Sequence, residues 1–214
     1  MIPIGDDNYG RRSVPFVTYL LIAANFLVFF VELNASDNFI VTFSVVPARL
    51  LANPLGQFYT VFSAMFMHAG WLHILGNMLY LWIFGDNIED RIGHGKFLVF
   101  YLLCGIAATF AQVYAAPRST VPNLGASGAI AGVLGAYLVL FPRQRVRVLL
   151  FGFIIPMSAI IVIGLWFLLQ VISEAGAGGA SGGVAYMAHI GGFLTGAVLI
   201  LFFRGLSQRP SVYQ

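Results

Sequence analysis

Five polar side chains with the chemistry of acyl transfer interrupt the most apolar parts of this sequence. They are His68, His73, Asn77, Ser127 and His189. A serine hydroxyl becomes an effective nucleophile when a base removes its proton, and histidine suits that role because its pKa lies near neutrality. The tetrahedral intermediate then needs donors directed at its oxyanion. The set favours a hydrolase site with Ser127 as nucleophile and His189 as base. His73, Asn77 and the backbone N–H of Ser127 are the available oxyanion donors.

Composition indicates where these side chains lie. Of the 214 residues, 59% are hydrophobic and only 9% are charged, whereas soluble domains carry about 25% charged residues. This composition excludes a soluble enzyme, a disordered chain and a nucleic-acid-binding protein. The single cysteine, Cys104, excludes a disulfide framework and a cysteine-based zinc site. We interpret the chain as an integral membrane protein in contact with a lipid bilayer.

Apolar stretches long enough to cross the membrane contain all five polar side chains. A spanning helix needs about 20 apolar residues, and continuous apolar runs indicate helices rather than alternating barrel strands. We predict an all-α fold, a bundle of six transmembrane helices in a membrane domain over residues 14–204, with cytoplasmic segments 1–13 and 205–214. The predicted spans are about 14–31, 68–85, 97–115, 126–141, 148–172 and 184–203.

The distribution of basic residues predicts the orientation of the bundle. Nine of the 11 Lys and Arg residues fall on one side of the six predicted spans, so the positive-inside rule makes both termini cytoplasmic. Since no targeting segment is evident, we expect a multi-pass protein of a prokaryotic plasma membrane. The nine residues are Arg11, Arg12, Arg91, Lys96, Arg143, Arg145, Arg147, Arg204 and Arg209.

The predicted spans bring the reactive side chains to one depth. Ser127 lies 14 residues before Phe141, and His189 lies 14 residues before Phe203, at the ends of two spans that run in the same direction. Each therefore stands about 21 Å above the cytoplasmic boundary. No span contains a carboxylate, so we expect a Ser–His dyad without a third member.

The sequence also predicts structure for two loops and one proline. The outer segment 33–60 is long and apolar, which predicts that it lies partly in the membrane interface. Residues 173–183 read SEAGAGGASGG, which predicts a flexible cap over the site, with a plain linker as the alternative. Pro156 is expected to kink the fifth helix.

Three motifs of this sequence resemble those of the rhomboid intramembrane serine proteases. The motifs are HAGWLHILGN over 68–77, GASG over 125–128 and AHIGGFLTG over 188–196. Their order and helices match the six-helix rhomboid core along nearly the whole chain. GASG alone would be weakly specific, whereas the three together are highly specific.

The resemblance implies a role for each motif residue. Ser127 and His189 match the nucleophile and base, and His73 and Asn77 match the oxyanion side chains. It further implies cleavage of single-span or other transmembrane proteins near the outer membrane face, after small side chains, without metal or cofactor. Three further residues match positions that support the site: His68, Gly125 and Gly128. Gly192 and Gly196 match small positions at which the sixth helix approaches the fourth.

Two positions depart from the family pattern. Tyr59-Thr60 stands where a Trp-Arg pair is frequent, and Ala131 stands where several members carry an aromatic residue against the catalytic histidine. Neither departure removes a reacting group, but both motivate an alternative, a non-catalytic rhomboid relative that binds membrane-protein clients.

Other interpretations explain single residues. Gly128-x-x-x-Gly132 is a helix-packing pattern by itself. The three histidines of the spans could bind a metal, but His68 and His73 are five apart, which suits one helix face poorly. A transporter pocket has little support because carboxylates within the spans and internal repeats are both missing. His94 is expected to be a solvated loop residue.

Overall fold

The computed structural model describes residues 1–7, 11–177 and 185–205. Long helices build most of this part of the chain. Most of the apolar runs identified in the sequence form helices, because a helix satisfies all backbone hydrogen bonds within the segment. The long helices are α1 (Phe16–Glu32), α6 (Trp71–Ile92), α7 (His94–Ala115), α8 (Ser127–Leu140), α9 (Ala159–Ala177) and α10 (Tyr186–Gly205).

Short helices fill the segment between α1 and α6. Their bounds are α2 (Asp37–Phe43), α3 (Pro47–Ala52), α4 (Pro54–Gln57) and α5 (Tyr59–Ser63), followed by a 3₁₀ turn over Ala64–Phe66. Val45, Leu50 and Val61 bury their side chains together with Val113 of α7. The apolar character of this outer segment thus partly reflects a small core of its own.

Length and composition identify the membrane-spanning helices. In the described ranges, α7, α9 and α10 are each long and apolar enough to cross a membrane. A fourth candidate is α6 taken with Pro54–Phe66, although the two are bent by 80°. The helices α1 and α8 are apolar but have only 17 and 14 residues. The count of six spans stays a prediction.

The described residues are mostly helical, as predicted, but they also form a three-stranded antiparallel sheet that the prediction lacked. The strands β1 (Ile2–Asp6), β2 (Arg145–Leu150) and β3 (Phe153–Ser158) pair in the order β1-β2-β3. The predicted fifth span is therefore wrong over 148–158, and its helix begins at Ala159. Pro156 lies in β3, opposite Arg147, and kinks no helix. An edge strand tolerates proline because one side of it needs no ladder hydrogen bonds.

The segment predicted to form a flexible cap is only partly described. Residues 173–177 continue α9 instead of forming a loop. Residues 178–183, the rest of the predicted cap, lie outside the described residues, as does 206–214 of the predicted C-terminal tail.

The helix α8 forms the centre of the molecule. Every residue from Gly128 to Tyr137 is buried, against α6, α7 and α10. Glycines let α10 approach it closely: a Cβ at Gly192 would overlap the carbonyl oxygen of Gly128, and one at Gly196 would overlap that of Gly132. The two helices therefore touch through their backbones, as small-residue packing in membranes allows.

Candidate active site

Ser127 and His189 form a hydrogen-bonded pair between α8 and α10. The Oγ of Ser127 and the Nε2 of His189 are 2.8 Å apart, and both residues are partly buried. This is the distance at which an imidazole can take a hydroxyl proton. For that transfer the Nε2 must be unprotonated and accept from the serine hydroxyl.

Helix ends and glycine contacts place this pair. Ser127 is the first residue of α8, and the first N–H groups of a helix lack partners within it. His189 lies in the first turn of α10, three residues before the Gly192 contact with α8. The close backbone approach of the two helices therefore sets the separation between hydroxyl and imidazole.

His73 faces the start of α8 across Gly125. A Cβ at Gly125 would lie 2.9 Å from Cε1 and 3.0 Å from Nε2 of His73, so only glycine leaves room for the ring. Gly125 also has a φ of 128°, in the region that favours glycine. The Nδ1 of His73 accepts a hydrogen bond from the N–H of Ala69 at 3.4 Å, which puts the proton of the neutral ring on Nε2. That nitrogen is therefore a donor beside Ser127.

Asn77 and His68 hold polar atoms without partners. Both ring nitrogens of His68 and the Nδ2 of Asn77 are buried and lack a hydrogen-bond partner in the part of the chain that the structure describes. The His68 ring packs edge-to-face on His73 with centroids 5.1 Å apart. An unpaired buried donor is costly, which makes the Asn77 amide available to a developing oxyanion.

An open pocket lies directly beside Ser127. Its empty volume is about 470 Å³, including the part open to solvent. Small side chains and glycines dominate its wall next to Ser127. These residues include Gly105, Ala108, Thr109, Gly128, Ala129, Ala185 and Ala188.

Metal ligation finds no support in the geometry. Within residues 1–7, 11–177 and 185–205, no three His, Cys, Asp or Glu side chains converge on one point. His189 directs its two nitrogens to Ser127 and to Gln170, so neither nitrogen is free to bind a metal.

Comparisons with known proteins identify the fold family. Residues 55–205 match the model of the Rhomboid domain. The chain is 34% identical over 187 residues to the Rhomboid protease GluP of Bacillus subtilis. The matched region covers 85% of this chain and 36% of that protein. The chain is 33% identical over 144 residues to the mitochondrial Rhomboid protein 1 of Saccharomyces cerevisiae, covering 65% and 40%. The chain belongs to the rhomboid family.

A third relative extends the match to animals. The human mitochondrial Presenilin-associated rhomboid-like protein is 32% identical over 146 residues, covering 65% of this chain and 36% of that protein. The chain thus spans about two fifths or less of the length of these three relatives. Named rhomboid proteases among the relatives identify the family as one of intramembrane proteases, and this rhomboid is an integral membrane protein.

The positions at which this rhomboid departs from the family pattern have structural explanations. Ala131 is buried in α8, and the ring that contacts His189 comes from Trp166 of α9, with centroids 5.9 Å apart. The Tyr59 hydroxyl donates to the Thr42 carbonyl at 2.9 Å, and the Thr60 hydroxyl donates to the Gln57 carbonyl at 2.7 Å. Both residues therefore tie the outer segment together.

Sequence reasoning missed one contact of the site. The Nδ1 of His189 lies 2.8 Å from the Oε1 of Gln170, on α9. Ser158 and Gln170 are the polar residues with hydrogen-bonding side chains between 155 and 172, apart from the Trp166 indole. The signal that singled out the histidines, a polar side chain in an apolar run, was therefore also present at Gln170. The expectation of a dyad without a third member considered carboxylates alone and therefore left out this amide.

His94 and Glu89 are in contact at the other end of the bundle. His94 opens α7 and its Nδ1 lies 2.5 Å from the Oε1 of Glu89. Glu89 is fully buried, and its two oxygens accept the N–H groups of Val17 and Thr18 at 2.8 and 2.7 Å. This carboxylate satisfies first-turn donors of α1, where negative charge is favoured. His94 is therefore a helix residue rather than a loop residue, whereas its side chain is 45% exposed, as the expectation of a solvated residue requires.

Proposed function

We propose that this rhomboid is an intramembrane serine endopeptidase that cleaves transmembrane protein substrates near the outer membrane face through an acyl-enzyme. The observation that carries the proposal is the 2.8 Å contact between the Ser127 hydroxyl and the Nε2 of His189. A packing serine would not need an imidazole in its base-competent orientation.

The reaction runs in two acyl-transfer steps. The Oγ of Ser127 attacks the carbonyl carbon of the scissile peptide bond, and its proton moves to the Nε2 of His189. The tetrahedral intermediate collapses, the C–N bond breaks, and His189 returns the proton to the leaving amine. Water then attacks the ester carbonyl and gives a proton to His189. The C–O bond to Ser127 breaks, and the hydroxyl regains its proton.

Three donors stabilise the oxyanion of each tetrahedral intermediate. They are the Nε2–H of His73, the Nδ2 of Asn77 and the backbone N–H of Ser127. The unpartnered Nδ2 of Asn77 and the His73 ring beside Gly125 support this assignment. The open pocket beside Ser127 offers space for a side chain next to the scissile bond. No metal or cofactor takes part.

We further propose six membrane spans with both termini cytoplasmic, in a prokaryotic plasma membrane. The pairing of β1 with β2 supports a common side for the N-terminal segment and the segment before α9. Arg145 and Arg147 lie in that sheet, and Arg11 pairs with Asp86 at 3.0 Å. This cationic region lies beyond the end of α8 opposite to Ser127, so the site is closer to the outer face.

A fluorophosphonate probe tests the proposal without knowledge of the natural substrate. We expect purified protein to form an adduct on Ser127, mapped by mass spectrometry. Ser127→Ala and His189→Ala are expected to abolish it, because the first removes the nucleophile and the second its base. Ser158→Ala, a serine at the end of β3, serves as the matched control and is expected to react like the parent.

Other results would contradict the proposal. If the probe labelled Ser127 in His189→Ala at the same rate as in the parent, the imidazole would not activate the serine. Absence of any adduct on folded parent protein, in detergent and in lipid vesicles, would instead favour the non-catalytic relative that binds membrane-protein clients.

A further inference from the structure

The catalytic base has a second polar contact, on a helix that carries neither reacting group. Gln170 lies on α9, and its Oε1 is 2.8 Å from the Nδ1 of His189. The other ring nitrogen, Nε2, is 2.8 Å from the Ser127 hydroxyl. The side chains of Ser127, His189 and Gln170 therefore form a chain of polar contacts from α8 through α10 to α9.

The orientation of the Gln170 amide follows from its other partner. The amide nitrogen Nε2 donates to the Trp166 carbonyl at 3.3 Å, one turn earlier on the same helix. A reversed amide would set its oxygen against that carbonyl, which offers no proton. The amide oxygen must therefore face His189, and an oxygen can only accept. His189 consequently carries its proton on Nδ1.

This proton position matters for catalysis. A neutral imidazole with its proton on Nδ1 has its lone pair on Nε2, facing the Ser127 hydroxyl. The opposite tautomer would present an N–H to the serine and could not take its proton. We propose that Gln170 is a positioning residue that holds His189 in the base-competent tautomer, in the place that a carboxylate occupies in a Ser-His-Asp triad. This inference deepens the proposed protease function and rests on it for its catalytic consequence.

The packing of α9 adds a condition to this role. Trp166 lies against the same imidazole, and Phe167 stacks on Phe193 of α10 with centroids 4.3 Å apart. In contrast, every residue from 164 to 176 is exposed or only partly buried. Few contacts thus hold this part of α9 to α10. The base is fully oriented only while α9 is packed against α10.

Substitutions at Gln170 separate the hydrogen bond from the packing. Gln170→Leu keeps the size of the side chain and removes the acceptor, and Gln170→Glu keeps an acceptor. With the fluorophosphonate probe, we expect Gln170→Leu to lower the maximal rate of Ser127 labelling about 10- to 100-fold. The probe concentration for half-maximal rate should not change. Gln170→Glu is expected to stay within about threefold of the parent.

The pH profile gives a readout that packing alone would not move. A carboxylate at position 170 favours the charged imidazole, so the acidic limb of the labelling rate should lie at higher pH in Gln170→Glu than in the parent. Leu169→Ala is the control, since Leu169 is the neighbouring residue on α9 and 58% exposed. It is expected to leave rate and profile unchanged. Equal loss of labelling in Gln170→Leu and Gln170→Glu would overturn the inference, as would a parent-like rate in Gln170→Leu.

A spectroscopic measurement keeps this inference separable from the protease proposal. The ¹⁵N chemical shifts of a histidine distinguish a protonated from an unprotonated ring nitrogen. In the parent chain we expect His189 to carry its proton on Nδ1, and in Gln170→Leu we expect this preference to be lost. A parent His189 protonated on Nε2 would overturn the role of Gln170, whether or not Ser127 reacts with the probe.

Discussion

At the scale of the residue, Gly125 shows how closely backbone and side-chain chemistry are linked in this site. Its φ of 128° is strained for any residue with a Cβ, and a Cβ would also meet the His73 ring at 2.9 Å. The N–H of Gly125 donates to the Ala64 carbonyl at 2.8 Å, which ties this turn to the outer segment. Glycine therefore sets the position of both His73, the proposed oxyanion donor, and the start of α8.

Gly125→Ala is expected to lower the rate of Ser127 labelling and of substrate cleavage about 100-fold or more, because the displaced His73 ring no longer reaches the oxyanion. Labelling kinetics on folded protein measure the effect. Gly70→Ala is the control: this nearby glycine has extended backbone, and a Cβ there meets nothing within 4 Å. A parent-like rate in Gly125→Ala would contradict the assigned role of His73.

At the scale of the element, the contact between α8 and α10 brings the proposed dyad together. Ser127 and His189 lie 62 residues apart in the chain and meet because two helices touch through glycines. Membrane helices gain little from burying apolar side chains away from lipid, so close backbone packing contributes much of their association. The proposed catalytic pair and the helix packing therefore depend on the same small residues.

Gly196→Ala is expected to destabilise the protein by about 1–3 kcal/mol and to lower the rate of Ser127 labelling. Its Cβ would overlap the Gly132 carbonyl oxygen, which forces α10 away from α8 and His189 away from Ser127. Thermal unfolding in detergent and probe labelling measure the two effects. Gly164→Ala on α9 is the matched control, because a Cβ at that glycine meets nothing within 4 Å. The idea fails if both variants unfold at the parent temperature.

At the scale of the whole molecule, a buried carboxylate joins the N-terminal strand to the central helix. Asp6 of β1 accepts hydrogen bonds from the Tyr137 hydroxyl at 2.6 Å and from the Asn87 amide at 2.8 Å. Only 5% of Asp6 is exposed, and this burial raises its pKa from 3.8 to about 6, although both hydrogen bonds oppose the shift. The strand, α6 and α8 thus meet at one ionisable group.

The stability contributed at Asp6 is expected to fall as pH rises from about 4 to 6. Because its folded pKa is higher than its unfolded pKa, the native state keeps a proton that the unfolded chain releases in this window. Asp6→Asn removes this dependence and should be more stable than the parent at pH 7.5, by at most about 3 kcal/mol. At about pH 3, below both pKa values, the two proteins should unfold at nearly the same temperature.

Thermal unfolding of both chains across this pH range checks the prediction. Most other carboxyl groups titrate alike in both chains, so the difference between the chains reports Asp6 together with its coupling to Asp86, whose pKa the Asp6 charge raises. A difference in unfolding temperature that stays constant from about pH 3 to 7.5 would mean that the pKa of Asp6 is not raised in the folded protein.

Sequence patterns by themselves were sufficient for most of the long helices and for the choice of candidate site residues. Long apolar runs favour helices in lipid, since a helix satisfies its backbone hydrogen bonds within the segment. His73, Asn77, Ser127 and His189 stood out because polar side chains are costly in such runs. Their motifs placed the chain in the rhomboid family, which the comparisons confirm.

Tertiary structure decided what local patterns do not encode. Most of the apolar residues 148–158 lie in strands, and β1, which lies 140 or more positions earlier in the chain, pairs with β2. Glu89 and Asp6 bind partners 72 and 131 positions away along the chain. Gln170 likewise meets His189 only when α9 packs against α10. Local sequence sets which residues are polar and which segments are helical, but hydrogen bonds between distant segments depend on how the helices pack.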